Sequence, residues 1–214
     1  HDKTLTNIVL SNHDIKMPKT IAGPLFYSEK LTEDNLTFLN DVISELGLPL
    51  VFKKVYGSLG IGVSLVNNKE TLVDLYKTHC REPIQFQEYI STSYGKSMRI
   101  LIIDKEIVGG FIRYNSNDFR SNFGLTATGK KLENGDKYYQ FAKKIADLLN
   151  IEYAGIDLLF GKDEEPILCE INSNAFFEEF EKITGINVAE KFAKMVVSKV
   201  TNRYEQKQAK IPIF

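Results

Sequence analysis

Three oxygen-bearing side chains, Asp157, Glu170 and Asn172, sit in two short apolar runs, AGIDLLF (154–160) and PILCEIN (166–172), joined by the polar GKDEE. Two such runs around a polar turn read as a β-hairpin. With the turn centred between Asp163 and Glu164, Asp157 stands opposite Glu170, Gly155 opposite Asn172, Ile156 opposite Ile171, Leu158 opposite Cys169 and Phe160 opposite Ile167. Strand side chains alternate faces, so one face is apolar and the other carries both carboxylates and the amide. Facing carboxylates repel, and the simplest compensator is a divalent cation. Hard oxygen donors suit Mg²⁺ or Mn²⁺, ions that keep water and engage phosphates. The plain alternative is a solvated sheet face carrying two acids.

The elements that must position these groups follow from periodicity. Helices are expected over 2–13, with the stripe Leu5, Ile8, Val9; over 32–46, capped by Thr32 or Asp34 and stopped by Gly47; over 68–79; over 135–150, with Tyr139, Ala142, Ile145, Ala146 and Leu149 inward; and over 186–203, with Val188, Phe192, Met195, Val196 and Val200 on the sheet. Strands are expected in LPLVFKKVY, IGVSLV and PIQFQEYI, and in a hairpin, MRILIIDKEIVGGFIRY, that turns at Asp104-Lys105. Residues 115–134 read as mostly irregular, with a short extended piece near Arg120. Helices interspersed with antiparallel hairpins give an α+β fold. The organisation expected is an N-terminal helix (1–14), a lobe over 15–88 and a second lobe over 89–214, with a cleft between the lobes.

The glycine-rich turn GSLGIG (57–62: Gly57, Ser58, Gly60, Gly62) lies between two strands. Glycine lets backbone N–H groups approach phosphate oxygens. No Gly-Lys-Ser/Thr opens a helix after it, which excludes a P-loop, and a following strand excludes a Rossmann turn. It is either a flap over a triphosphate or an ordinary hairpin turn. Lys53, just before it, is a point charge suited to an α- or β-phosphate, or a lysine reaching out of a half-buried strand. Glu88 ends a strand between the lobes, where backbone groups can pair with an adenine edge. Arg120 and Asn122 in DFRSN, with Arg99 and Arg113 on neighbouring strands, suit phosphoryl or carboxylate recognition.

In the 214-residue chain a net charge of −1 argues against a nucleic-acid or anionic-membrane partner. No apolar run is long enough to span a bilayer and no signal peptide is visible. Cys80 and Cys169 form no metal pattern and fit a reducing cytoplasm. His1, His13 and His79 give no acid–base constellation. The start at His1-Asp2-Lys3 without Met is expected for a fragment or a processed chain.

Together these segments resemble the ATP-grasp superfamily, most closely its RimK-type carboxylate–amine (glutamate) ligase branch. The likeness runs from DKTLT and IKMPKT through PLVFKKVYGSLGIGVSLV, FQEYI, DFRSN, AGIDLLF and CEINSN to FEKITGINVAEKF, nearly the whole chain. It implies an ATP-grasp fold of two α+β lobes with the nucleotide between them. It implies an ATP-dependent ligase that joins a small-molecule or peptide carboxylate to an amine or amino acid through an acylphosphate. By the same resemblance Lys3 and Lys53 contact phosphates, GSLGIG covers them, Glu88 and Tyr89 hold the adenine, and Arg120 and Asn122 lie near the phosphates or acyl group. Arg99 lies in the reaction cleft, and Asp157, Glu170 and Asn172 bind two magnesium ions. Three departures stand out. Ser97 replaces an acidic residue near the ribose; SNAFFEEFEK replaces a Ser-Pro-Gly turn after Asn172 and brings Phe176 and Phe177 toward the acceptor; and the family's N-terminal α/β domain is not among these segments. The rival readings are a Mg-ATP-binding regulatory module without turnover and a kinase-like phosphoryl transfer. A homo-oligomer fits any of them.

Overall fold

The computed structural model describes residues 3–27, 30–57, 60–121 and 128–208, and the side chains of the last helix as far as residue 203. In chain order the elements are α1 (Lys3–Leu10), β1 (Thr20–Ala22), α2 (Glu33–Leu46), β2 (Leu50–Lys54), β3 (Val63–Val66), α3 (Lys69–His79), β4 (Ile84–Glu88), β5 (Lys96–Ile103), β6 (Glu106–Tyr114), β7 (Thr128–Lys131), α4 (Asp136–Leu148), β8 (Tyr153–Phe160), β9 (Pro166–Asn172), α5 (Glu178–Thr184) and α6 (Val188–Gln208). They form two antiparallel sheets, β1-β4-β2-β3 and β7-β6-β5-β8-β9.

In the four-stranded sheet the period-two alternation divides two environments. Leu50, Phe52, Val66, Ile84 and Phe86 turn to one side and pack on Leu39 and Val42 of α2 and Leu72 and Tyr76 of α3. Those helical pairs are three and four residues apart, as one buried helix face requires. Thr32 caps α2 reciprocally with Asn35, and Gly47 ends it at φ +73°. The other face of the sheet presents Val51, Lys53 and Gln87 to a cleft.

The five-stranded sheet is covered on both sides. Met98, Ile100, Ile102, Ala154, Ile156 and Leu158 pack against Tyr138, Ala142, Ile145 and Ala146 of α4. On the opposite face Leu101, Ile103 and Phe111 meet Phe180 of α5 and Val188 of α6. Two residues further along each strand, that face turns polar: Ser97 and Arg99 on β5, Arg113 on β6, Asp157 on β8. At this end Ser97, Arg113 and Asp157 line the second wall of the cleft. Leu10 and Ile15 pack into the core of the five-stranded sheet. The chain therefore starts on one layer, builds the other and returns.

The structure departs from the sequence reading in several places. β1 and α5 were not anticipated; three residues and seven are too few to show a period. Among the described residues no strand forms near Arg120, and a strand lies later, at Thr128–Lys131. In α1 the stripe Leu5, Ile8, Val9 is exposed, because the inward side carries Lys3, Thr4 and Leu10. In α6 Val188 and Met195 pack on the sheet and Phe192 stacks edge-on with Tyr153, whereas Val196 and Val200 are exposed. Among the described residues no helix is long and apolar enough to cross a membrane.

Candidate active site

The hairpin holds Asp157 opposite Glu170, Ile156 opposite Ile171 and Gly155 opposite Asn172. Beyond Asp157 the register shifts: Leu158 pairs with Leu168, not Cys169, and Phe160 with Pro166, not Ile167. Cys169 is the extra residue of a β-bulge. It is displaced from the apolar face into the cleft wall, where its Sγ lies 3.9 Å from Lys53 Nζ. The turn itself is a short 3₁₀ stretch, with Asp163 and Glu164 both at positive φ.

The charge compensation around the carboxylates was only partly visible in the sequence. Arg99, directly across from Asp157 on β5, grips it bidentately with Nε at 2.7 Å and Nη2 at 2.6 Å. Arg113 adds Nη2 at 2.8 Å to Asp157 Oδ1. Two guanidiniums thus fill the compensating role first given to a cation alone. Burial pushes the Asp157 carboxyl up, but Arg113 and Arg99 outweigh it and hold the group below the usual carboxylate range. Glu170 goes the other way: burial first, then the facing Asp157 charge, push it up, with Lys3 only 3.6 Å away as a partial counterweight. Asn172 sits between the two acids. Its amide nitrogen lies 3.3 Å from Asp157 Oδ2, and with the amide turned over the nitrogen reaches Glu170 Oε1 at 3.3 Å while the oxygen accepts from Arg99 Nη2 at 3.2 Å.

Gly155 leaves the room this arrangement needs. A Cβ there would stand 2.8 Å from Ala175 Cβ and 3.3 Å from Arg99 Nε. Among the described residues no three His, Cys, Asp or Glu side chains gather as a metal site. The donor set here is two carboxylates and an amide oxygen on one face. That set would suit a hard divalent cation.

Most of the remaining predicted residues that the structure describes converge on the same cleft between the two sheets. Lys3 reaches from α1 to the carbonyls of Val55 (3.2 Å) and Gly57 (2.9 Å), tying the helix to the start of the glycine turn. Lys53 is held by the side-chain oxygen of Gln87, whose amide nitrogen donates to Thr20 Oγ1 at 2.9 Å. Glu88 and Tyr89 lie at the end of β4 on the cleft wall, and Gly57 and Gly60 line it as well. Gly62 does not; its carbonyl accepts from Lys54 N at 2.9 Å, and it closes the turn against that lysine. Ser58 and Asn122 lie outside the described residues.

Arg120 is tied down. Asp118 binds it with Oδ1 on Nε (2.9 Å) and Oδ2 on Nη2 (2.8 Å), and its Nη1 donates to the carbonyls of Gly60 (3.0 Å) and Val63 (3.2 Å). It bridges the glycine turn of one sheet to the loop after the other. Phe119 meets Tyr89 edge-on at 6.3 Å. Phe177 packs toward the Phe180 core, while Phe176 is 73% exposed beyond Asn172.

Sequence reasoning gave no role in the site to Gln87, Asp118 or Cys169. Gln87 was signalled only by the strand alternation that puts it beside Lys53; the bulge that turns Cys169 inward has no local signature.

The protein-family model for the RimK-like ATP-grasp domain matches residues 1–196. The chain belongs to the RimK-like ATP-grasp family. An uncharacterised protein of Mycoplasma pneumoniae is 32% identical over 194 residues, 88% of this chain and 66% of that protein. Human N-acetylaspartylglutamate synthase A is 28% identical over 205 residues, 95% of this chain and 51% of that enzyme. The crystal structure of D-alanine–D-alanine ligase from Bacillus anthracis superposes with a TM-score of 0.69 at 20% identity, covering 96% of this chain and 69% of that one. This likeness shows the ATP-grasp fold. The RimK-like chain spans about half to two thirds of the length of these curated relatives.

Proposed function

We propose that the chain is the catalytic core of an ATP-dependent carboxylate–amine ligase that adds an amino acid through an acylphosphate. The observation that carries this reading is the meeting, in one cleft between two sheets, of Asp157 and Glu170 with Lys3, Lys53 and the Glu88-Tyr89 strand end, Asn172 being hydrogen-bonded to Asp157 beside them. Lobes of 15–88 and 89–214 are the halves that enclose the nucleotide. Glu88 and Tyr89 hold the adenine; Lys3, Lys53 and the turn containing Gly57, Ser58, Gly60 and Gly62 face the phosphates. Asp157, Glu170 and Asn172 would hold two Mg²⁺ or Mn²⁺ ions, which when bound neutralise phosphate charge.

The chain's own contribution is positioning and charge. A carboxylate oxygen of the acid attacks the γ-phosphorus, and ADP leaves. Arg99 and Arg120 stabilise the negative charge that spreads over the phosphoryl oxygens. The amine nitrogen then attacks the acyl carbon, phosphate leaves, and the nitrogen loses a proton. No side-chain nucleophile is required, which agrees with the absence of any such constellation from the sequence.

The human relative is named for an amide of glutamate, so glutamate is the first amine to supply. A cytoplasmic setting, where ATP is abundant, fits the two free cysteines. The test is to incubate the full-length protein with Mg-ATP and a panel of acids, each with glutamate and other amino acids, and to follow ADP, phosphate and amide by mass spectrometry. ADP, phosphate and an amide in equal amounts are expected. ATP binding without turnover across the panel would favour a regulatory module, and a stable phosphorylated acid without amide would indicate a kinase.

A further inference from the structure

The charge on the reacting wall of the cleft is unbalanced in a way that Ser97 controls. Arg99 and Arg113 both point at Asp157, and the facing Glu170, which also acts on Arg99, is shared with Lys3 and Lys53, so the two carboxylates do not neutralise the cations around them. The Arg99, Arg113 and Asp157 side chains are 15%, 6% and 10% exposed respectively, so water screens the surplus poorly. Among the described residues Arg113 has one further side-chain hydrogen-bond partner, a neutral one: its Nε donates to Ser97 Oγ at 3.1 Å. Ser97 stands directly across the β5–β6 ladder from Arg113 and is itself buried, with Ser121 Oγ on its other side. An acidic side chain at this position would reach the same Nε and cancel the surplus. The hydroxyl satisfies the hydrogen bond and leaves the charge.

Uncompensated buried charge is costly unless an ion of opposite sign completes the site. The wall formed by Ser97, Arg113 and Asp157 faces the cleft directly. We propose that Ser97 is a specificity-determining residue: by staying neutral it reserves the surplus charge of Arg99 and Arg113 for an anionic oxygen of a bound reactant. That oxygen comes from the terminal phosphoryl group of the nucleotide or from the carboxylate of the acid. The inference rests on the ATP-dependent ligase reading. It assigns Ser97 to charge control at the reacting groups, not to the ribose.

The experiment compares Ser97→Asp with Ser97→Asn, which differ in charge and little in size. Binding of ATP and of ADP is measured by calorimetry, and the KM of the acid by steady-state turnover. A carboxylate a few ångströms from the bound anion weakens its binding about tenfold or more. If the phosphoryl group is the partner, Ser97→Asp raises the ATP Kd by that factor over Ser97→Asn and leaves ADP within about threefold, since ADP lacks the terminal group. If the carboxylate is the partner, both nucleotide affinities hold and the acid's KM rises. Either result supports the proposal. Equal values in the two variants, or tighter ATP binding in Ser97→Asp, overturn it while leaving the ligase reading intact if the wild type binds ATP and turns over. A wild type that binds neither nucleotide removes the reading and the proposal together. Should Ser97→Asp not fold, Ser121→Asp brings a carboxylate to the same spot from the adjoining loop, and the same outcomes apply.

Discussion

The two carboxylates of the hairpin should respond to neutralisation with opposite signs. Asp157→Asn keeps the size but removes the charge that Arg99 and Arg113 share. Three short contacts, at 2.6, 2.7 and 2.8 Å, then point guanidinium N–H groups at an amide with only one acceptor oxygen. Breaking a buried ion pair costs about 3–5 kcal/mol because the partner charge is stranded. For a protein of this size that lowers the unfolding midpoint by about 10 °C. Glu170→Gln instead removes a buried charge that faces another carboxylate, and the nucleotide-free protein should gain stability.

The pH dependence separates the two further. Asp157 is pushed up by burial but held lower overall by Arg113 and Arg99, so its contribution is full above the unfolded-state value and is lost as pH falls through the folded one. Glu170 is raised by burial and by Asp157, so its charging penalty is absent below the unfolded-state value and complete above the folded one. The gain from Glu170→Gln should therefore be present at neutral pH and vanish in acid. Thermal and urea unfolding without nucleotide, from pH 3.5 to 8, measure both effects, while turnover should fall in both variants. A Glu170→Gln protein as destabilised as Asp157→Asn at pH 7, or an Asp157→Asn protein as stable as wild type, would refute the charge assignment.

Other outcomes follow from single contacts. Lys53→Met removes a charged hydrogen-bond donor worth about 1.5–3 kcal/mol, so the ATP Kd should rise about 10- to 100-fold with the fold intact; calorimetry reads it. Asn172→Ala should leave the unfolding midpoint nearly unchanged yet shift turnover to higher Mg²⁺ concentrations, and an unchanged Mg²⁺ titration would count against its place in the metal site. Asp118→Ala frees the Arg120 guanidinium from its bidentate partner, so amide exchange at residues 60–63 should quicken and the ATP KM rise. Gly155→Val would press on Ala175 and Arg99, and turnover should be lost with a measurable drop in stability.

The sequence carried the placement of Asp157, Glu170, Asn172 and Lys53, because strand alternation and a short polar turn leave little freedom near the centre of a hairpin. It lost the register beyond Asp157, because a bulge is set by packing on both sides of the strand and leaves no period to read. The inward face of α4 was legible from spacings of three and four, and α2 and α3 were legible as helices. α1 was legible as a helix but not in its facing: Lys3 and Thr4 make the inward contacts, and the apolar stripe looks out. Arg113 was noticed on a neighbouring strand, yet its grip on Asp157 depends on β5, β6 and β8 lying side by side, a pairing that no local pattern encodes. Arg120 was noticed as a charge for the phosphates, and its tether to Gly60 and Val63 spans two sheets.

The central claim is that a carboxylate is activated as an acylphosphate in this cleft. The most direct measurement uses the acid that supports turnover, labelled with ¹⁸O in its carboxylate, with Mg-ATP, the amine and the full-length protein. Acyl activation transfers one labelled oxygen per turnover to inorganic phosphate, detected by mass spectrometry. Phosphate carrying the label in step with amide formation is the predicted result; amide formed with unlabelled phosphate would contradict the account.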